Sequence, residues 1–168
     1  MIAELHQHGR EIAIAVAAAI VLGTIGGLST EAGAWYEGLR FPSLRPPNWL
    51  FGPAWAIIYA LVATSGVLAW GDAPDSGTRV GLVVLFAVNA ALSVAWSSLF
   101  FKWRRPDWAL LDVLAFWLSI VGLVVFVAAF SPRAAGLLAP YLSWVSFASW
   151  LNWRIVVLNR PFGRASLR

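Results

Sequence analysis

Cysteine is absent from the 168 residues, methionine occurs once, at position 1, and histidine occurs twice, at His6 and His8. Without thiols the chain can form no disulfide, no thiol nucleophile and no thiolate metal site. His6 and His8 stand two apart with no third ligand near, so this tail reads as solvated and no metal is expected there. The apolar segments hold no His, Cys or Met, so the usual axial ligands of a permanently bound haem are missing. Charge is scarce too: 12% of residues are charged, about half the ~25% of soluble domains. The hydrophobic share is 60% and the mean hydropathy +0.75. A soluble domain of this size could not bury so much apolar surface. The chain therefore reads as one integral membrane domain over residues 1–168.

The apolar residues fall into five runs, at about 12–30, 50–70, 80–101, 108–130 and 134–157. Each comes close to the ~20 residues that carry a helix across the hydrocarbon core. The runs are long, continuous and not alternating, which predicts helices rather than strands. The expected fold is all-α, a five-transmembrane-helix bundle. Gly23 and Gly27 allow close helix contact in the first run. Ala32-Gly33-Ala34 resembles a signal-peptidase site. The tail before it is not clearly basic and the run reaches spanning length with its flanks, so the reading is a retained span.

Charge predicts the orientation. With five spans, Arg10, Arg79 and Arg133 share one side of the membrane. Arg40, Arg45, Lys102, Arg104, Arg105, Arg154, Arg160, Arg164 and Arg168 share the other. The positive-inside rule puts the second, richer side in the cytoplasm and the amino terminus outside. The basic residues thus read as topology signals, and no nucleic-acid partner is expected. Asp112 and Arg154 fall inside spans, where charges are costly and usually paired. Their depths from one membrane face are similar, so an ion pair between them is expected; the alternative is that Asp112 faces a wet vestibule and Arg154 snorkels alone.

The most distinctive stretch is W-Y-E-G-L-R-F-P-S-L-R-P-P-N-W-L-F-G-P-A-W-A-I-I-Y, residues 35–59. Pro42 and Pro46-Pro47 forbid a regular helix at its centre, so residues 31–49 are expected to form a stiff loop. It then enters a helix on which Trp55 and Tyr59, four apart, share a face. Together these predict an aromatic cover over an aromatic wall, a setting for a flat, greasy ligand. Arg40 and Arg45 on the loop could pair with an anionic group on a ligand or simply fix orientation. Of the eleven Trp residues, those at helix ends read as an interfacial belt. Trp55, Trp96, Trp117 and Trp144 sit deeper, where an indole N–H needs an acceptor. Trp117 is assigned to packing. Ala87, Ala91 and Ala95 form a small-residue stripe on which helices could approach closely.

With the W-S-S-L-F-F of 96–101, the P-Y-L-S-W of 140–144 and the L-N of 151–152, the 35–59 block resembles the tryptophan-rich sensory protein family, TspO/MBR, which includes translocator proteins. The resemblance implies a five-helix membrane bundle, usually a homodimer, here through the Ala87/Ala91/Ala95 stripe. It also implies a pocket beneath the first loop for porphyrins, haem-type tetrapyrroles, sterols or benzodiazepine-like drugs. By position in the family, Trp35, Trp49, Trp55, Tyr59, Ser93, Trp96, Phe100, Trp144 and Ala148 would cover or line it. Ser93 stands where the family usually has Asn. Trp153 replaces the Tyr that commonly follows L-N, so a strict cholesterol motif is absent.

Three functions compete. A receptor would hold a porphyrin-like ring and sense or traffic it. An enzyme would degrade a bound porphyrin through indole radicals, with Trp55 and Trp144 as its carriers. The sequence offers that enzyme no acid–base dyad or metal site. A transporter for sterols or other small molecules lacks support from broken helices or a charged path.

Overall fold

The computed structural model describes residues 33–162. The expected first span at 12–30, with Gly23 and Gly27, His6 and His8 in the tail, and Arg164 and Arg168 lie outside the described residues.

One helical turn, α1 (Ala34–Glu37), begins the loop that the prolines predict. Helix α2 (Asn48–Asp72) starts directly after the double proline, with Pro47 in extended backbone at its N-cap. Helix α3 (Ser76–Ser97) is capped by Asp75, whose carboxylate accepts from the Thr78 backbone N–H at 2.8 Å and the Thr78 hydroxyl at 3.1 Å. These bonds hold the Asp75 carboxyl below its ordinary pKa. Helix α4 (Pro106–Ala128) opens on a proline, whose missing N–H costs nothing in a first turn. A short α5 (Pro132–Gly136) leads into α6 (Ala139–Asn159).

Four helical segments are long and apolar enough to cross a membrane: Asn48–Asp72, Ser76–Lys102, Pro106–Ala128 and Pro132–Asn159. They match the second to fifth expected runs, extended by two to four residues at most ends. The 71–79 connector is accordingly shorter than expected, because Asp75 caps α3 within it. No strand occurs among the described residues.

Helix α4 is the centre of the described bundle. Its residues Val113, Phe116 and Ile120 form one core with Ile58 of α2 and Tyr141 and Val145 of α6. A second core joins Ala69, Ala73, Leu82, Val127, Ala134 and Ala135 near the 73–75 turn. There Ser65 Oγ donates to the Ala134 carbonyl at 2.8 Å, and Ser131 Oγ donates to Asp72 Oδ2 at 2.6 Å. The third core, at the opposite end, gathers Tyr36, Phe100, Ala109, Leu151 and Ile155. The 33–47 loop, the 103–105 turn and the end of α6 therefore share one end of the bundle, and the 73–75 and 131 turns share the other. This is the grouping that the alternating spans predict.

A π-helical turn, Ser98–Lys102, continues α3. The Trp103 N–H reaches the Ser98 carbonyl at 2.9 Å, and Arg104 closes the turn at φ 53°. The wider turn brings two consecutive aromatic rings, Phe100 and Phe101, into contact with Tyr36. Beyond it, Arg105 forms a two-pronged pair with Asp107, Nε to Oδ1 at 2.8 Å and Nη2 to Oδ2 at 2.5 Å. That partner raises the guanidinium's pKa above its ordinary value.

Candidate functional site

Helix periodicity places one aromatic wall on α2. Trp55 stacks on Tyr59 with ring centroids 5.3 Å apart and planes 29° apart. One turn earlier, Phe51 meets Trp144 of α6 edge to face at 5.7 Å. Trp55 also meets Tyr141 edge to face, at 6.2 Å and 70°. Rings from two spans thus converge beside the α4-centred core, against which Trp55 and Trp144 pack. Ser93 of α3 faces the Tyr59 hydroxyl.

The second cluster belongs to the loop and α3. Trp35 leans edge-on against Phe100, and Phe100 lies 5.4 Å from Trp96. Tyr36 is buried among Phe41, Phe100 and Phe101. Burial raises the Tyr36 phenol's pKa, partly offset by the nearby Arg45 guanidinium. Trp96 packs against both the α4-centred core and the loop-end core, and so joins the two aromatic groups.

Hydrogen bonds fix several of these rings. The Trp96 indole N–H donates to Asn152 Oδ1 at 3.0 Å, and Asn152 Nδ2 donates to the Pro106 carbonyl at 2.9 Å. The Trp117 indole donates to Ser146 Oγ at 2.7 Å, in keeping with a packing role. The loop is tied down by Asn159. Its Oδ1 accepts the Arg40 backbone N–H at 2.8 Å, and its Nδ2 donates to the Arg40 carbonyl at 2.9 Å.

The sequence profile of the TspO/MBR family matches residues 14–158. The chain belongs to the TspO/MBR family. It is 34% identical over 151 residues to the Tryptophan-rich protein TspO of Archaeoglobus fulgidus, covering 89% of this chain and 97% of that one. Against the protein of the same name from Chlorobaculum tepidum it is 37% identical over 151 residues, covering 88% and 95%. The human Translocator protein is 35% identical over 120 residues, 71% of each chain.

Not every residue expected at a TspO/MBR pocket joins the ring clusters. Trp49 is 71% exposed. It lies six residues from Trp55, about 240° around the helix, and stands outward as Trp103, Trp108 and Trp153 do. Ala148 lies half-buried on α6, one turn beyond Trp144. The Arg45 guanidinium sits 3.7 Å over Phe41 and 5.1 Å from Tyr36, and donates to Asn48 Oδ1 at 2.5 Å. Of the two loop arginines, Arg40 has the exposed position.

The expected Asp112–Arg154 ion pair is not formed. Arg105–Asp107 is the ion pair found among the described residues. Asp112 Oδ2 is buried without a hydrogen-bond partner, and the Arg154 guanidinium lies over Trp153 at 5.7 Å. Depth along the helices is as expected, but the Arg154 guanidinium sits on the neighbouring Trp153 and not on Asp112. No cluster of three metal-binding side chains occurs among the described residues.

Sequence reasoning missed Phe51, Asn89, Tyr141, Asn152 and Asn159. A signal existed for Asn152: it continues the four-residue spacing of Trp144 and Ala148 on one helical stripe. A separate groove of about 340 Å³ lies at the far end of the bundle, lined by Trp70, Ser76, Arg79, Val80, Val83 and Val84. Half of its lining is valine and its Arg79 guanidinium lies over Trp70 at 5.4 Å, so the aromatic clusters remain the better candidate site.

Proposed function

We propose that this protein is a membrane receptor that holds a planar, apolar ring, in the first place a porphyrin, against Trp55 and Trp144 beneath the 33–47 loop. The observation carrying this reading is the convergence of Trp55, Tyr59, Phe51 and Trp144 from α2 and α6. Such faces suit stacking and apolar contact, with no need for an axial metal ligand. The exposed Arg40 is available to a propionate. The Ser93 hydroxyl, Trp96, Phe100 and the small Ala148 complete the lining, with Trp35 in the cover. Sensing or trafficking of tetrapyrroles is the role that such binding serves. The loop and the carboxyl terminus are assigned to the cytoplasm by charge.

The test is a titration of purified protein with protoporphyrin IX in the dark and in light. Saturable quenching of Trp emission at one porphyrin per chain, with the pigment recovered intact, is expected. The absence of saturable quenching would overturn the reading. Pigment loss in light that requires Trp55 or Trp144 would move the protein to the porphyrin-degrading class.

The proposed assembly is a homodimer through α3. Ala87 and Ala91 are exposed there and Ala95 is half-buried, beside the exposed Val80, Val83, Val84 and Val88. Replacing Ala87 and Ala91 together by leucine is expected to halve the protein mass in mild detergent, read by light scattering. An unchanged dimer mass would exclude this face.

A further inference from the structure

A buried polar chain crosses three spans behind the indole wall. The Tyr141 hydroxyl of α6 donates to Asn89 Oδ1 of α3 at 2.9 Å. Asn89 Nδ2 donates to Ser119 Oγ of α4 at 2.8 Å, and Ser119 donates to the Phe116 carbonyl at 2.7 Å. Asn89 is 5% exposed and Tyr141 3%.

The bonds run in one direction. The Ser119 hydroxyl donates to a backbone carbonyl while its oxygen accepts from the Asn89 amide nitrogen, which leaves Oδ1 toward Tyr141. Tyr141 donates to that oxygen. Its ring is held edge to face against Trp55 at 6.2 Å and against Phe116 at 5.9 Å.

We propose that Asn89 is a positioning residue for the ligand wall: its clamped carboxamide holds the Tyr141 hydroxyl and so sets the angle at which the Tyr141 ring meets Trp55. Asn89 need not touch a ligand to act. It works through Tyr141, which fixes the Trp55 plane from one side while Tyr59 stacks along it. The affinity consequence rests on the porphyrin reading above; the effect on Trp55 does not.

The test compares Asn89→Leu, Tyr141→Phe and the double variant. Tyr141→Phe removes a single oxygen, so it folds even where the leucine variant does not. The first readout is the Trp55 contribution to the near-ultraviolet circular dichroism, obtained by subtracting Trp55→Phe counterparts. The second is affinity for protoporphyrin IX. Each single variant is expected to change the Trp55 signal and to weaken binding about 3- to 10-fold, the worth of one aromatic contact. The double variant is expected to go no further than either single one, because both act through one bond. An unchanged Trp55 signal in Tyr141→Phe, or fully additive effects in the double variant, would overturn the proposal. If the unmodified protein binds no protoporphyrin, the receptor reading fails, and the Trp55 signal still decides the role of Asn89.

Discussion

Replacing Trp55 by leucine is expected to weaken protoporphyrin IX binding about 10- to 100-fold. The estimate follows from what one flat aromatic face contributes to stacking, about 1–3 kcal/mol, at 1.4 kcal/mol per factor of ten. Leucine keeps an apolar side chain against Ile58 and Tyr141, with which Trp55 packs, so the bundle should persist. Trp49→Leu is the matched control. It removes an indole from the same helix, but one that is 71% exposed, and binding is expected to change less than about twofold, as for other exposed sites away from such contacts. Dark titrations of both variants by fluorescence or porphyrin absorbance read the difference. Equal losses in the two would mean that the ligand lies at the belt and not at the wall.

The second large effect concerns stability. Asn152 is 1% exposed and bridges the Trp96 indole to the Pro106 carbonyl. Asn152→Leu leaves the half-buried Trp96 indole N–H without its acceptor and breaks the link from α6 to the Pro106 carbonyl, on two different spans. Interhelical hydrogen bonds in membranes are worth about 0.6 kcal/mol on average and up to about 1.7. Two such bonds are lost and one donor is orphaned, so a loss of about 1–3 kcal/mol is expected. Unfolding in a graded mixture of mild and denaturing detergents measures it. Ser149→Ala, three residues away on the same helix, is the comparison: its hydroxyl donates to its own helix, at the Val145 carbonyl, 2.7 Å. Little change is expected there. If the two variants melt alike, the Asn152 bridge contributes nothing beyond local helix.

Much of this architecture was legible before any coordinates. Long apolar runs have no good alternative to helices in lipid, so the second to fifth spans could be placed within a few residues. Pro46-Pro47 marked the start of α2 because a proline restricts the residue before it as well as itself. That Trp55 and Tyr59 share one helical face followed from four-residue spacing alone. What spacing cannot give is rotation between helices. Asp112 and Arg154 lie at matching depths, about 9 Å and 7.5 Å from their helix ends at 1.5 Å per residue. Depth is read along one chain, whereas pairing depends on which way two helices are turned, and that is set by side-chain packing across the bundle. The π-turn was hidden for a related reason. S-S-L-F-F-K carries no local mark of a wider turn, and its effect is tertiary, since it brings Phe100 and Phe101 together onto Tyr36. Asn89 and Asn159 were missed because a lone amide in an apolar run declares neither partner nor direction.

The clamp between Asn159 and the peptide of Arg40 joins positions 119 residues apart in sequence. A chain cut just before Asn159 would keep each helix that supplies an indole to the wall. It would lose the catch on the roof above them, so carboxyl-terminal shortening would change how quickly a guest enters and leaves before it changed the room itself.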